Sequence, residues 1–278
     1  MPNMSSSSRR SASSGFTLVE LMTVAPIVIL IIGGFIGMII SMTIDVMTTQ
    51  ASNQLDYKIQ DTLNRIEHDA NSALRIHAAN PMPLAAPLGY DNNTQNFANV
   101  SADRGHMLIM EIPLTTASPA SPSRELIYQP NQPHPCHLPE VKANSILTGT
   151  VIYFIKDNKL WRRTLVPADL PSSACSTPWQ QSSCQPGISK GSNCQSDDAL
   201  LIDGVSKDDF VTTYYQDASS TSPSATATST SSDAATRQTA IDATGNIGVS
   251  LKAKQTAGGR DVEVSGSLRF NRGQKLTL

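Results

Sequence analysis

The distribution of apolar and polar residues divides the chain into three regimes. Residues 21–44 carry no charge and are almost wholly apolar, bounded by Glu20 and Asp45. As a helix this run rises about 36 Å, enough to cross a hydrocarbon layer of about 30 Å. Beyond Asp45 the pattern becomes amphipathic. Ala51, Leu55, Ile59, Leu63, Ile66, Ala70 and Leu74 recur at steps of three and four, which marks one helical face, while Asp56, Lys58, Asp61, Arg65, Glu67 and Asp69 occupy the other, solvated or paired. Asn80-Pro81 closes the pattern, because the residue before a proline is pushed out of the helical region. The spacing therefore predicts a membrane-type helix over 16–44 that continues as an amphipathic helix over 45–79.

Residues 80–278 suffice for one globular domain, and their pattern is that of strands. Met107 to Leu114, Arg124 to Gln129 and Ser145 to Val166 are rich in strand-favouring residues. The last of these contains a hairpin: Val151 to Ile155, a turn over Lys156-Asp157-Asn158-Lys159, then Leu160 to Leu165. A second hairpin runs from Gly248 to Lys254, turns around Ala257-Gly258-Gly259 and returns over Asp261 to Phe270. Its alternation, with Val249, Leu251, Ala253, Val262 and Val264 interleaved with polar residues, predicts one face buried against the helix and one wet. The expected fold class is α+β, a long N-terminal helix packed on an antiparallel β-sheet head. Two segments read as flexible insertions: 167–198, rich in proline and serine, and 217–236, nearly all Ser, Thr, Ala and Asp and too poor in large apolar residues to offset the entropy of ordering.

The junction before the apolar run carries the most specific signal. Gly15-Phe16-Thr17-Leu18-Val19-Glu20-Leu21-Met22 follows a serine-rich leader with Arg9 and Arg10, and a lone carboxylate at the edge of a span is costly unless partnered. A secretory signal core is shorter than this one, and Thr49-Gln50-Ala51 is a poor cleavage site. Arg9-Arg10 lacks the apolar continuation of a twin-arginine signal. A plain signal anchor explains the charges, with the arginines cytoplasmic and Glu20 reaching the headgroups, but leaves the Gly15-Phe16 junction and the glutamate spacing as coincidence.

In these residues the chain resembles the type IV prepilin family, whose members share a glycine, a phenylalanine or similar residue, and a glutamate four residues later. The resemblance implies a pilin-like fold and removal of leader 1–15 by a prepilin peptidase acting after Gly15, leaving Phe16 as an N-methylated terminus. It implies that Glu20 pairs with the terminal amine of a neighbouring subunit, and that other pilins or pseudopilins are partners through the N-terminal helix. A buried ion pair of this kind is a register device more than a source of stability. The implied location is the cytoplasmic membrane, single-pass with the head outside the cytoplasm, and then a pilus or pseudopilus. Ile66-Glu67-His68-Asp69-Ala70, the Leu160-Trp161-Arg162-Arg163 arm, Leu200 to Val205 and Gly258-Gly259-Arg260 are similar, in that order, to J-type minor pilins. Pro26 departs from the usual position of a helix-breaking proline and is expected to kink or locally unwind the helix. Gly33 and Gly37 form a small-xxx-small face for close helix approach.

Other chemistry adds little. Cys136, Cys175, Cys184 and Cys194 lie in the part expected to be exported, and three disulfide pairings are open. His134 and His137 flank Cys136, yet no Cys-x-x-Cys pair accompanies them. Gly187-Ile188-Ser189-Lys190-Gly191 matches the hydrolase elbow without an apolar strand or helix beside it. Asp197, Asp198 and Asp203 fit no defined calcium loop, and His68 reads as a surface helix residue. No cofactor and no enzymatic activity are expected. The net charge of −2 becomes about −4 once Arg9 and Arg10 leave with the leader; only Arg260, Arg269, Arg272 and Lys275 make a basic tail, a weak basis for nucleic-acid binding. The expectation is a minor pilin or pseudopilin, a structural subunit of a type IV pilus, competence pilus or type II secretion pseudopilus. The alternative is a signal-anchored surface protein that binds a ligand and never polymerises.

Overall fold

A computed structural model describes residues 17–79, 107–127, 146–167, 178–187, 189–191, 194–228 and 233–271. It begins with one unbroken helix, α1, Leu18–Ser72, about 82 Å long at 1.5 Å per residue. Thr17 caps it, and the helical backbone continues through Pro26, so the unwinding expected there is not observed. The amphipathic register holds: Ala51, Leu55, Ile59, Leu63, Ile66 and Ala70 are buried. The helix ends earlier than position 79. Ala73 turns to an extended conformation, the Leu74 N–H donates to Glu111 O at 2.8 Å, and the next residues enter a sheet. The sheet's backbone pairing outcompetes continuation of the helix, although Leu74 and Asn80-Pro81 fit the helical pattern.

The strands are β1 (Arg75–His77), β2 (Met107–Pro113), β3 (Thr148–Lys156), β4 (Lys159–Leu165), β5 (Ser183–Cys184), β6 (Ser196–Asp197), β7 (Ala199–Asp203), β8 (Phe210–Tyr215), β9 (Asn246–Ala257) and β10 (Arg260–Asn271). An antiparallel five-stranded sheet has the order β1-β2-β3-β4-β7, and an antiparallel three-stranded sheet the order β10-β9-β8. The fold is thus α+β, a long apolar N-terminal helix followed by an antiparallel sheet head. Both predicted hairpins form. Asp157 and Asn158 (φ 53° and 55°) and Gly258 and Gly259 (φ 58° and 75°) are two-residue turns in the left-handed region, matched to the twist of the strands they join. The Arg124–Gln129 stretch forms no strand within its described part: Leu126 makes one isolated bridge, to Thr115.

Helix and sheets meet in one core. The helix presents Leu55, Ile59, Leu63 and Ile66 to Leu108, Met110, Val151 and Tyr153 of the larger sheet and to Phe210, Val249, Leu251 and Ala253 of the smaller. Close approach to β10 depends on Gly266, where a β-carbon would stand 2.6 Å from Ile59 Cγ2 and 3.0 Å from Leu63 Cδ1. β10 alternates half-buried and exposed positions, the one-wet-face arrangement expected of that hairpin. The larger sheet differs. Met107, Ile109, Ile152, Phe154 and Leu165 form a second buried cluster on its other face.

The described parts of both segments contain packed structure. Within 217–236 lie α2 (Ala225–Thr228), with Ala227 buried in the core, and the start of α3 (Ala234–Asp242), capped by Asp233. From α3, Gln238 bonds Ala78 N and Ile76 O, and Asp242 pairs with Arg75 at 2.7 Å, which covers the edge strand β1. Within 167–198, Gln180 bonds Thr115, Ser182 bonds Val166 N, and Ser183 bonds Thr164 N. Small polar side chains serve here as backbone partners, a role invisible to an apolar count.

Two stability measurements on the full chain in detergent test this packing. Ile59→Ala, at a fully buried site, is expected to cost about 2–5 kcal/mol, and Gly266→Val about 1–3 kcal/mol by overpacking, each read from the denaturant midpoint. A third concerns acid. The hydrogen bond from His77 Nε2 (2.8 Å) holds the half-buried Glu111 carboxyl below its ordinary range, outweighing the upward push of burial. The unfolded chain then takes up this proton first. The contribution is full above the ordinary carboxylate value of about 4.3 and is lost as pH falls through the depressed folded value. Glu111→Gln should accordingly flatten the fall in stability below that pH, and an unchanged acid limb would assign the fall to other groups.

Candidate functional site

The first half of α1 is the most unusual surface of the molecule. Leu18, Val19, Met22, Ile29, Leu30, Ile31, Phe35 and Met38 are all more than half exposed, and no residue of the apolar window is buried. Helices covered by their own core do not look like this. Among the described residues α1 is the one helix long and apolar enough to cross a membrane. Gly33, Gly34 and Gly37 face open space, with nothing within 4 Å of a β-carbon placed on any of them. The bare stretch ends where the head begins: Ile44 is half-buried, and Arg260 Nη1 donates to Asp45 Oδ1 at 3.2 Å.

At the other end stands Glu20. Its Oε2 accepts from Thr17 N at 3.1 Å and from Thr17 Oγ1 at 2.9 Å, while Thr17 Oγ1 accepts from Glu20 N at 3.3 Å. This is a capping box, which satisfies two of the otherwise orphaned donors at the start of the helix. The Thr-x-x-Glu spacing before an apolar run is its sequence signature, so Thr17 was there to be found. Both contacts use Oε2. Gly15 and Phe16 lie outside the described residues.

Among the described residues of the head, two ion pairs, one part-buried and one fully buried, were missed by sequence reading. Arg162 and Arg163 are adjacent on β4 and so project to opposite faces. Arg162 Nε meets Asp69 Oδ2 of α1 at 2.6 Å, and the Tyr153 hydroxyl donates to the same oxygen at 2.6 Å. Burial, then the Asp69 carboxylate, pushes the Tyr153 phenol well above its ordinary value, which keeps it a donor. Arg163, fully buried over the Phe154 ring (5.4 Å), is held by Asp198, whose Oδ1 also accepts from Ser183 Oγ at 2.9 Å. Asp198 is therefore buried and paired. A strand with two consecutive arginines inside an apolar hairpin was the available signal, but their partners lie 93 and 35 residues away.

The remaining candidates separate. Cys184 and Cys194 form a disulfide, Cα–Cα 5.7 Å, which selects one of the local pairings; Cys136, Cys175, His134 and His137 lie outside the described residues. Ser189 is exposed between β5 and β6, short two-residue strands with no helix following, so the elbow geometry is absent at that position. His68 is exposed on α1, as expected. Among the described residues no three His, Cys, Asp or Glu side chains converge as metal ligands. Of the basic tail, Arg260 binds Asp45, and Arg269 stacks on Tyr215 at 3.8 Å and donates to the carbonyls of Ser220 and Asp217; Arg272 and Lys275 lie outside the described residues. In comparisons with models of known families and with curated proteins, nothing matches this chain.

Removing one partner of a buried pair strands the other charge, at a cost of about 3–5 kcal/mol. Asp198→Ala is expected to destabilise the head by that amount, because Arg163 has no exposure to water, whereas Asp197→Ala, at a pair half exposed on both sides, should be neutral in the same melt. Equal effects of the two would remove the distinction drawn here.

Proposed function

We propose that this chain is a prepilin that matures into a minor pilin or pseudopilin, a structural subunit of a type IV pilus, competence pilus or type II secretion pseudopilus, with no enzymatic activity. The observation that carries the reading is the Gly15-Phe16-…-Glu20 motif at the head of a helix whose apolar half is bare throughout and whose second half is the spine of a β-sheet head. Before assembly the bare half spans the cytoplasmic membrane, with Arg9 and Arg10 on the cytoplasmic side and the head outside. Prepilin peptidase cuts after Gly15, and the Phe16 amine is freed and methylated.

In the filament the bare half packs against the same segment of other subunits, away from water. Glu20 is suited to this step because, among the described residues, the capping box engages Oε2 and not Oε1, the oxygen we assign to the amine of a neighbour. Gly33 and Gly37, with no side chain to hold neighbours away, permit close approach. So large a head repeated at every subunit would crowd its neighbours, which argues for low copy number. A role in DNA capture is not favoured, because Arg269 is engaged by Tyr215 and by the carbonyls of Ser220 and Asp217, and a single arginine beside Asp45 is no basic patch for a polyanion.

The test is the intact mass and N-terminal sequence of the protein from membranes, with and without its prepilin peptidase. A chain beginning at Phe16, about 14 Da heavier than unmodified through one methyl group, is the expected result. Glu20→Ala should then abolish incorporation into filaments while leaving the head's unfolding midpoint unchanged. A chain that begins at Met1 in both strains would leave a plain signal anchor.

A further inference from the structure

The β9–β10 hairpin runs alongside the packed half of α1, and its tip reaches the point where the bare half begins. Gly266 lies against Ile59 and Leu63; at the tip, a β-carbon on Gly258 would stand 3.2 Å from Ile44 Cγ2, and Arg260 bonds Asp45. Asp45 is the first charge after the uncharged run 21–44. That run rises about 36 Å against about 30 Å of hydrocarbon, so a seated span leaves Ile44 and Asp45 in the headgroup layer. The tip touches both residues and stands at the same depth. This placement rests on the reading of α1 as a membrane span.

We infer that the hairpin tip, residues 255–261, is a phospholipid-headgroup contact surface in which Arg260 takes the phosphate. Six of its seven residues are exposed, and it carries no large apolar side chain before Val262, so it lies on the headgroups without entering the acyl chains. The Arg260 side chain is 61% exposed, and its bond to Asp45 engages one of five N–H donors, which leaves a planar fork suited to a phosphodiester. Asp45 pairs with this cation, so the local set is one positive and one negative group. Such a set complements a zwitterionic headgroup, phosphate to Arg260 and ammonium to Asp45, and does not require anionic lipid. The head is thereby held at a defined height above the bilayer.

The full chain in vesicles of phosphatidylethanolamine with a minority of phosphatidylglycerol tests this. A fluorescent amino acid replaces Gln255 at the tip, Asn71 at the far end of α1, about 39 Å beyond Asp45 by helix rise, or Ile32 in the span, and is quenched by nitroxides on lipid headgroups or acyl chains. Headgroup quenching at 255 is expected to exceed that at 71 several-fold, with acyl-chain quenching at 32. Tip quenching no greater than at 71, with 32 still quenched, overturns the inference and leaves the span intact. Absence of quenching at 32 overturns the span and the inference together. In arginine-labelled protein carrying Arg9→Lys and Arg10→Lys, an Arg Cζ signal dephased by lipid phosphorus should disappear on adding Arg260→Lys; dephasing that survives, or is never seen, removes Arg260 from the contact.

Discussion

The continuity of α1 is the constraint on which everything else depends. One helix carries two incompatible surfaces, an apolar cylinder over its first half and a single apolar stripe over its second. The helical backbone, which continues through Pro26 and on to Ser72, ties the orientation of the head to that of the bare segment. The head in turn exists only because Leu55, Ile59, Leu63 and Ile66 supply the buried layer between its two sheets. A sheet with one apolar face needs such a layer, and the close approach at Gly266 lets a single helix serve both sheets.

Charges do the positioning that apolar contacts cannot. Hydrophobic burial is non-directional, so it would tolerate a helix slid or rotated along the sheet. The Asp69–Arg162–Tyr153 contact and the Asp45–Arg260 contact lie on the same helix 24 residues apart, and each admits a narrow geometry. On the opposite face of the larger sheet, Asp198 and Ser183 fasten strands β5 and β6 and their neighbouring residues over Arg163. That face is wet in a simple two-layer head; here it is a second interior. The Cys184–Cys194 disulfide lies in the same segment, so covalent and ionic ties converge on a part of the chain with few apolar residues of its own.

The proposed role makes the two ends of the bare segment the places where specificity resides. A run of Leu, Ile, Val and Met is apolar in every direction and by itself selects neither register nor neighbour. Glu20 at one end and Asp45 with Arg260 at the other are the polar groups that bracket it. Desolvation makes misplacing either one costly, which is why two small polar clusters can govern the depth and pairing of a long apolar helix.

Local pattern alone determined the long apolar helix, the amphipathic stripe from Ala51 to Ala70, both hairpins with their turns, and the α+β class, because each is written in consecutive residues or at the helical or strand repeat. The Gly15–Glu20 motif was equally legible, and its Thr17 cap could have been read there too. Tertiary structure alone decided the rest. The helix stops at Ser72 because strand β1 pairs with β2, a competitor more than thirty residues distant that no local window contains. The described parts of 178–198 pack because Ser, Gln and Asp side chains meet backbone and arginine partners in other elements, and 217–220 is held by Arg269 on its carbonyls; an apolar count cannot see a hydrogen bond. The pairing of Arg162 with Asp69 and of Arg163 with Asp198 follows the same rule: a strand's alternation says that neighbours face opposite ways, but only the packed fold says what each one meets.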